Sequence, residues 1–240
     1  MRLSQFKVLS FSCYGTLIDR ESGVYAALRP LLTQGGVTLS RESVLERFSA
    51  NEARQQAETP TMPYAQVLFE VHRRLAKDWS INASDDDRTL FARSVAQWPA
   101  YADAPAALQY LRRFYKLVIL SNADRQSLSA SGRRLEVMFD AIFTPQDIGA
   151  CKPDPRTFEH MAGRLAKLDL ERHTILHIAR DAARERAPAL TCGLAFAWMN
   201  RPRHTGLSSF APSMPDDAGL ELRFGSLVDM VKAHQEQLRS

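Results

Sequence analysis

Polar side chains follow two apolar runs of the chain, and their positions suit the binding of a small ligand. Residues 8–11 form an apolar run that ends at Ser12 and continues into a tight Gly15-Thr16 turn. Ser121 and Asn122 follow a second short apolar run. Ligands of open α/β sheets bind beyond the carboxyl ends of the strands, where a hydroxyl and an amide suit a carboxylate or a phosphate. We therefore predict a small-anion site here, although a turn or a helix cap favours the same residue types.

Ser12 is the first candidate for chemistry at these strand ends. A serine hydroxyl is neutral and becomes a nucleophile only beside a base. The simpler interpretation is that Ser12 fills space and hydrogen-bonds the turn. Because side chains alternate along a strand, we expect Cys13 to point away from Ser12 and to pack as a buried thiol.

Strand and helix patterns alternate along the chain and predict how these residues are positioned. The predicted strands are residues 8–11, 116–120, 141–144, 174–179 and 194–199. The predicted helices include residues 104–113, 155–167 and 227–238, and residues 205–219 are expected to form a loop. This alternation is typical of a doubly wound α/β fold with a parallel sheet and right-handed crossovers.

A long helical segment interrupts the alternation between residues 25 and 97. From Tyr64 to Leu75, apolar residues recur every three or four positions on one face. Residues 59–63 contain two prolines and break the segment. We predict two domains: an α/β core of residues 1–18 and 98–240, and a helical insert of residues 19–97.

Four short segments carry a resemblance to a known superfamily. They are Phe-Ser-Cys-Tyr-Gly-Thr-Leu at residues 11–17, Ser-Asn at 121–122, Gly-Ala-Cys-Lys-Pro-Asp-Pro at 149–155 and His-Ile-Ala-Arg-Asp-Ala-Ala-Arg-Glu at 177–185. The chain resembles the haloacid dehalogenase (HAD) superfamily, most closely its 2-haloacid dehalogenase branch, from about Val8 to Val231. The resemblance implies a HAD-like core, with the helical insert after the first strand as its cap.

The resemblance assigns roles to acidic and basic residues. The branch has its aspartate nucleophile where this chain has Ser12, and a water-activating aspartate where it has Glu185. Lys152 would bind the anionic group of the substrate, and Asp181 is a second acidic candidate. Ser12, Lys152, Glu185 and Asp181 are therefore the candidate catalytic residues.

The resemblance also names substrate-binding candidates, which are Tyr14, Ser121 and Asn122. HAD phosphatases have a second aspartate at the position of Tyr14, where it helps to position Mg²⁺. With Ser12 and Tyr14, both carboxylates of that site are replaced, so we expect no metal and no other cofactor. His177 is predicted to be structural.

Polar residues on predicted helices form two further sets of candidates. The cap offers Glu52, Arg54, Gln55 and Glu58. The arginine or the glutamine could reach a substrate carboxylate, or all four could be exposed polar residues of a helix surface. Arg184 is predicted to be exposed on the first turn of a helix.

Three functions remain open. The first is a hydrolase of the 2-haloacid dehalogenase type, acting on a small 2-substituted carboxylic acid, with catalysis impaired or altered by Ser12. The second is a non-catalytic relative that binds a small anion or a partner protein, which the paired changes at Ser12 and Glu185 favour. In the third, Ser12 is a substitution that traps substrate in an active hydrolase. A new reaction with Ser12 as nucleophile and Lys152 as its base is also open.

Composition limits the partners and the compartment. The 240 residues include 31 basic and 27 acidic residues, interspersed along the chain, so no nucleic-acid partner is expected. The basic run at residues 201–204 is predicted to be solvated. Three widely spaced cysteines, no signal-peptide pattern and no apolar run of membrane-spanning length predict a cytoplasmic protein without a membrane partner. A homodimer is compatible with the resemblance, since relatives are often dimers.

Overall fold

The computed structural model describes residues 1–201 and 222–239, and the loop predicted at residues 205–219 lies outside them. The strands of the described residues are β1 (Val8–Phe11), β2 (Lys116–Leu120), β3 (Ala141–Phe143), β4 (Ile175–Ala179), β5 (Ala195–Met199) and β6 (Arg223–Phe224). They form one parallel sheet in the order β3-β2-β1-β4-β5-β6. The predicted doubly wound α/β fold is confirmed.

Helices connect and cover these strands. They are α1 (Arg20–Gln34), α2 (Arg41–Glu58), α3 (Tyr64–Asp78), α4 (Asp85–Arg93), α5 (Ala104–Leu111), α6 (Arg125–Leu135), α7 (Pro145–Ile148), α8 (Pro155–Ala166), α9 (Ala182–Thr191) and α10 (Leu227–Arg239). Short 3₁₀ turns lie at Leu3–Gln5, Ser94–Gln97 and Arg172–Thr174. The predicted helices at α5, α8 and α10 are confirmed to within a few residues.

Helices α1 to α4 follow β1 and form the predicted cap. α2 ends at Glu58 and α3 begins at Tyr64, as the proline-containing break predicts. Ile18 forms an isolated antiparallel bridge with Ala100, so the chain enters and leaves the cap side by side. The residue bounds of the two domains stay a prediction.

Side chains alternate along each strand and direct apolar residues to the two faces of the sheet. On one face, Leu9 and Phe11 belong to a cluster that continues into the cap helices and also contains Leu68; we call it the core–cap cluster. On the other face, Val8 packs in a cluster with Phe158 of α8. The sheet is therefore buried on both sides, as parallel sheets usually are.

The point where the strand order reverses lies between β1 and β4, and it is where an open α/β sheet forms its ligand crevice. Ser12 follows β1, Ser121 follows β2, and Asp181 follows β4 after one residue. The three predicted site segments consequently meet at one edge of the sheet.

Arg201, which follows β5, corrects one prediction from the sequence. It was expected to be solvated but is 4% exposed. Its Nη1 contacts both carboxylate oxygens of Asp103 at 2.7 Å, and its Nε donates to the Thr16 carbonyl at 3.0 Å. Arg201 therefore holds the turn that follows Ser12, and its burial is possible because Asp103 neutralises its charge.

Candidate active site

A cleft of about 150 Å³ lies between the strand ends and the cap. Its core side contains all seven candidates predicted from the sequence, namely Ser12, Tyr14, Ser121, Asn122, Lys152, Asp181 and Glu185. Its cap side contains Arg20, Ser49, Glu52, Gln56 and Tyr64. Candidates from four separate segments of the sequence thus share one small cavity.

Lys152 lies at the centre of the buried end of this cleft. Its Nζ donates to Ser12 Oγ at 3.0 Å, to the Leu120 carbonyl at 2.8 Å and to Glu185 Oε2 at 2.7 Å. An ammonium has three N–H donors, and these acceptors use all of them. The side chains of Lys152 and Glu185 are only 6% and 7% exposed, so this ion pair is shielded from water.

His177 contacts the same oxygen of Glu185 as Lys152 does. Its Nε2 lies 2.9 Å from Glu185 Oε2, and its Nδ1 lies 3.1 Å from Ser10 Oγ. Burial lowers the pKa of His177, although Glu185 opposes this shift. The neutral ring donates from Nε2 to Glu185 and accepts from Ser10 at Nδ1. His177 is therefore a positioning residue for Glu185, and it is not only a packing residue.

Glu185 is a carboxylate at neutral pH because of these partners. Burial acts to raise the pKa of Glu185, but Lys152 and His177 outweigh it and lower this pKa to about 2. The protein thus places one fixed negative charge beside Lys152. It comes from the first turns of α9 and not from the tip of β1.

Asp181 lies at the start of α9 and acts there as a helix cap. Its carboxylate accepts a hydrogen bond from the Arg184 backbone N–H at 3.2 Å. Burial raises the pKa of Asp181, and the nearby Glu185 raises it further. Arg184 is exposed, as predicted, and lies at the mouth of the cleft. Arg180 pairs with Glu21 at 2.5 Å.

Asn122 fixes the loop that carries Lys152. Its Oδ1 accepts from the Lys152 backbone N–H at 2.7 Å, and its Nδ2 donates to the Lys152 carbonyl at 2.9 Å. Ser121 Oγ accepts from the Ala123 N–H at 3.1 Å and is buried at the cleft. Ser121 and Asn122 thus both line the site and hold the adjacent backbone in position.

Tyr14 connects the core to the cap. Its ring stacks on Tyr64 with 5.5 Å between centroids, and its hydroxyl lies 3.0 Å from Ser131 Oγ. Burial raises the pKa of Tyr14 well above its usual value, so the phenol is neutral. Its neighbour Cys13 points into the core–cap cluster, as predicted, and burial raises the pKa of that thiol to about 12 despite Lys152.

Arg20, at the first position of α1, dominates the cap side of the cleft. Its Nη2 donates to Ser49 Oγ at 2.9 Å and to Glu52 Oε2 at 2.5 Å. Tyr64 donates its hydroxyl to Glu52 Oε1 at 2.5 Å. Burial acts to lower the pKa of the Arg20 guanidinium, but Glu52, Tyr64 and Glu21 together outweigh it and raise this pKa. The cap thus presents a charged guanidinium that a carboxylate holds in place.

The cap residues named from the sequence divide between the cleft and the surface. Glu52 lines the cleft, whereas Arg54 and Glu58 form an exposed ion pair at 2.9 Å. Gln55 is buried and donates to Thr59. The cleft-lining positions 49, 52 and 56 recur on one face of α2, so helical spacing could have predicted which of these cap residues lines the cleft.

Two classes of feature are absent from the part of the chain that the structure describes. No three His, Cys, Asp or Glu side chains there are grouped as a metal site needs. No helix in the same residues is both long enough and apolar enough to cross a membrane.

Comparison with known families assigns the chain. The sequence profile of haloacid dehalogenase-like hydrolases matches residues 6–178, which include β1, the cap, β2, β3 and most of β4. This chain belongs to the haloacid dehalogenase-like hydrolase family. No curated protein sequence matches it significantly.

Solved structures of similar fold come from more than one kind of family member. L-2-haloacid dehalogenase from Xanthobacter autotrophicus with chloropropionic acid covalently bound is 16% identical, with a TM-score of 0.77 over 96% of this chain and 98% of that chain. A defluorinating L-2-haloacid dehalogenase is 17% identical, with a TM-score of 0.77 over 98% and 96% of the two chains.

YfnB from Bacillus subtilis, a HAD-superfamily protein bound to magnesium, is 17% identical, with a TM-score of 0.75 over 98% and 100% of the two chains. At these identities the likeness shows the fold alone. Since dehalogenases and a magnesium-bound protein share this fold, the site itself has to decide the chemistry.

Proposed function

We propose that this protein is a HAD-like hydrolase relative of the 2-haloacid dehalogenase type. It binds a small 2-substituted carboxylic acid, and its ester-forming step is lost because Ser12 replaces the nucleophilic aspartate. The observation that carries the proposal is the contact of Ser12 Oγ with Lys152 Nζ at 3.0 Å, while Glu185 Oε2 contacts the same ammonium at 2.7 Å.

The arrangement around Ser12 supports the loss of the nucleophile. A hydroxyl attacks only when a base removes its proton. Lys152 donates to Ser12, and an ammonium has no lone pair to accept a proton. Glu185 is held by Lys152 and His177, and the low pKa of its carboxyl, about 2, makes it a weak base. Asp181 completes the set of proposed site residues, as the cap of the helix that carries Glu185.

The same arrangement supports binding of a carboxylate. Because Ser12 accepts from Lys152, its own hydroxyl proton is available to a ligand oxygen. Ser121 and Asn122 flank this point, and Arg184 adds a positive charge at the mouth of the cleft. The aromatic ring of Tyr14 contacts the ligand. We propose that binding needs no metal ion or cofactor.

A non-catalytic anion-binding protein is the alternative function. One observation favours it: Glu185 neutralises Lys152 within the protein, so the site is electrostatically complete without a carboxylate at position 12. In this case the cleft is a binding site, and restoring the aspartate produces no turnover. A partner protein in the cleft has no comparable support.

Halide release tests the proposal. We would assay the parent, Ser12→Asp and the neutral control Ser12→Asn with 2-chloropropionate and 2-bromopropionate, with and without EDTA. We expect release from Ser12→Asp alone, unaffected by EDTA. Release from the parent would overturn the proposal, as would the absence of acid binding by calorimetry in all three proteins. Binding without release in all three would favour the alternative.

A further inference from the structure

The cap wall of the cleft has an unusual distribution of hydrogen-bonding groups around Arg20. Its hydrogen bonds to Ser49 and Glu52 both start from Nη2. Its Nε and Nη1 donate to no group among the described residues, and neither atom is among the buried ones without a partner. Arg20 lines the cleft, and its side chain is 20% exposed.

Glu52 changes what this guanidinium can recognise. It binds Arg20 through Oε2 and Tyr64 through Oε1. The Arg20–Glu52 unit therefore has no net charge, and it presents N–H donors next to carboxylate acceptors. A second anion gains little from such a unit, whereas a hydroxyl group can accept from Arg20 and donate to Glu52.

We propose that the ligand of this cleft is a small 2-hydroxy carboxylic acid, and that Arg20 determines this specificity by binding the 2-hydroxyl. The inference rests on the proposed function for the carboxylate end of the ligand. Ser12 and Ser121 bind that carboxylate at the strand ends, and the Arg20–Glu52 unit faces it from the cap. A cavity of about 150 Å³ holds about six heavy atoms, as in an engineered cavity of that volume that binds benzene.

A halogen at the same position would be a poor ligand for this wall. Chlorine cannot donate to Glu52 and is a weak acceptor for Arg20, so the polar groups of both residues would lose hydrogen bonds to water without replacement. Sites built to bond a hydroxyl reject analogues that lack it for this reason. The cleft is partly open, so we expect about tenfold discrimination, below that of a closed site.

Calorimetric binding of matched acids tests the inference. The probes are both enantiomers of lactate and of 2-chloropropionate, which differ only at the 2-substituent, with propionate as a reference. We expect the parent to bind one lactate enantiomer about tenfold more tightly than either chloropropionate. This ratio is measured within one protein, so it does not depend on any variant folding.

Two variants assign the effect to Arg20. Arg20→Lys keeps a cation for Glu52 but removes the Nε and Nη1 donors, and we expect the lactate preference to fall to about one. The matched control is Arg54→Lys, a cap arginine that also pairs with a glutamate but is exposed, and we expect it to keep the parent's ratio.

The outcomes separate this inference from the proposed function. Equal or tighter binding of 2-chloropropionate by the parent, or an unchanged ratio in Arg20→Lys, would overturn the inference and leave the proposed function intact. If none of the acids binds the parent, both are wrong.

Discussion

At the scale of single residues, the site is organised by the charge on Lys152. A buried ammonium needs a compensating anion, because removal of a charge from water costs several kcal/mol. Here Glu185 supplies that anion at 2.7 Å, and Ser12 contributes a hydroxyl. Glu185 and the Ser12 hydroxyl are thus parts of one arrangement around Lys152.

Loss of Glu185 should destabilise the fold. Glu185→Gln leaves Lys152 buried without its anion, and we expect the free energy of unfolding to fall by about 3 kcal/mol in urea denaturation. The control is Glu159→Gln, which breaks an ion pair with Arg172 whose side chains are 49% and 44% exposed. We expect less than about 1 kcal/mol there, and equal effects would contradict the argument.

Stability should fall on acidification in two steps. His177 has a pKa below its usual 6.5, so as the pH falls the unfolded chain binds this proton at a higher pH than the folded protein does, and stability decreases. His72 and His234, whose pKa values are also lowered, contribute in the same direction. Glu185 has a pKa of about 2 against a usual 4.5, so its contribution is present above pH 4.5 and is lost towards pH 2.

The second step can be assigned to Glu185 by denaturation at a series of pH values. One group adds at most about 1.4 kcal/mol per pH unit to the slope. We expect Glu185→Gln to lose this part of the slope between pH 4.5 and 3. An unchanged slope in the variant would show that the low pKa of Glu185 is wrong.

Residue identity together with the resemblance to the HAD superfamily predicted which core residues meet. Ser12, Ser121 and Lys152 each belong to a segment beside a strand end, and parallel strands bring such ends together. The roles of Arg20 and His177 were not predictable in this way, because each depends on a carboxylate of another element. Spacing along the chain does not report contacts between elements.

At the scale of secondary structure elements, the Lys152 loop depends on β2 for its position. Asn122, directly after Ser121 at the end of β2, bonds both the backbone N–H and the carbonyl of Lys152. The loop and the strand end thus behave as one unit. This unit sets the distance between Lys152 and Ser12.

Asn122→Ala tests this dependence. Two backbone groups of Lys152 lose their partners, and we expect a loss of about 2 kcal/mol in the free energy of unfolding together with weaker acid binding. Asn51→Ala is the control, because the hydrogen bonds of Asn51 are exposed, and we expect an effect within about 0.5 kcal/mol. Unchanged acid binding in Asn122→Ala would contradict the positioning role.

Elements with a strong apolar pattern were predictable, and weakly patterned ones were not. The buried strands β1, β2 and β4 are short apolar runs, and α3 has a regular apolar face. In contrast, α6 contains three serines and a glycine, and β6 has only two residues. Tertiary contacts form these elements where local preference is weak.

At the scale of the whole molecule, the cap and the core share one apolar interior. The core–cap cluster includes Leu68 and Leu75 of the cap together with Leu176 of β4 and Met230 of α10. Tyr14 and Tyr64 add a stacked contact between the two parts at the cleft. We therefore expect the cap and the core to unfold together.

Calorimetry of the parent and of Leu68→Ala tests this expectation. Leu68 is fully buried, and its truncation should cost about 3 kcal/mol. We expect one transition in each protein, with the whole transition shifted to lower temperature in the variant. Two resolved transitions, with only one of them shifted, would show that the cap and the core unfold independently.

The claim that Ser12 is not a nucleophile is tested most directly by intact-mass spectrometry of the parent during incubation with 2-bromopropionate, followed by peptide mapping. The account predicts an unmodified Ser12 peptide at every time point, with a transient ester on residue 12 in Ser12→Asp only. A 1-carboxyethyl ether on Ser12, formed as the serine oxygen displaces bromide from C2, would contradict it.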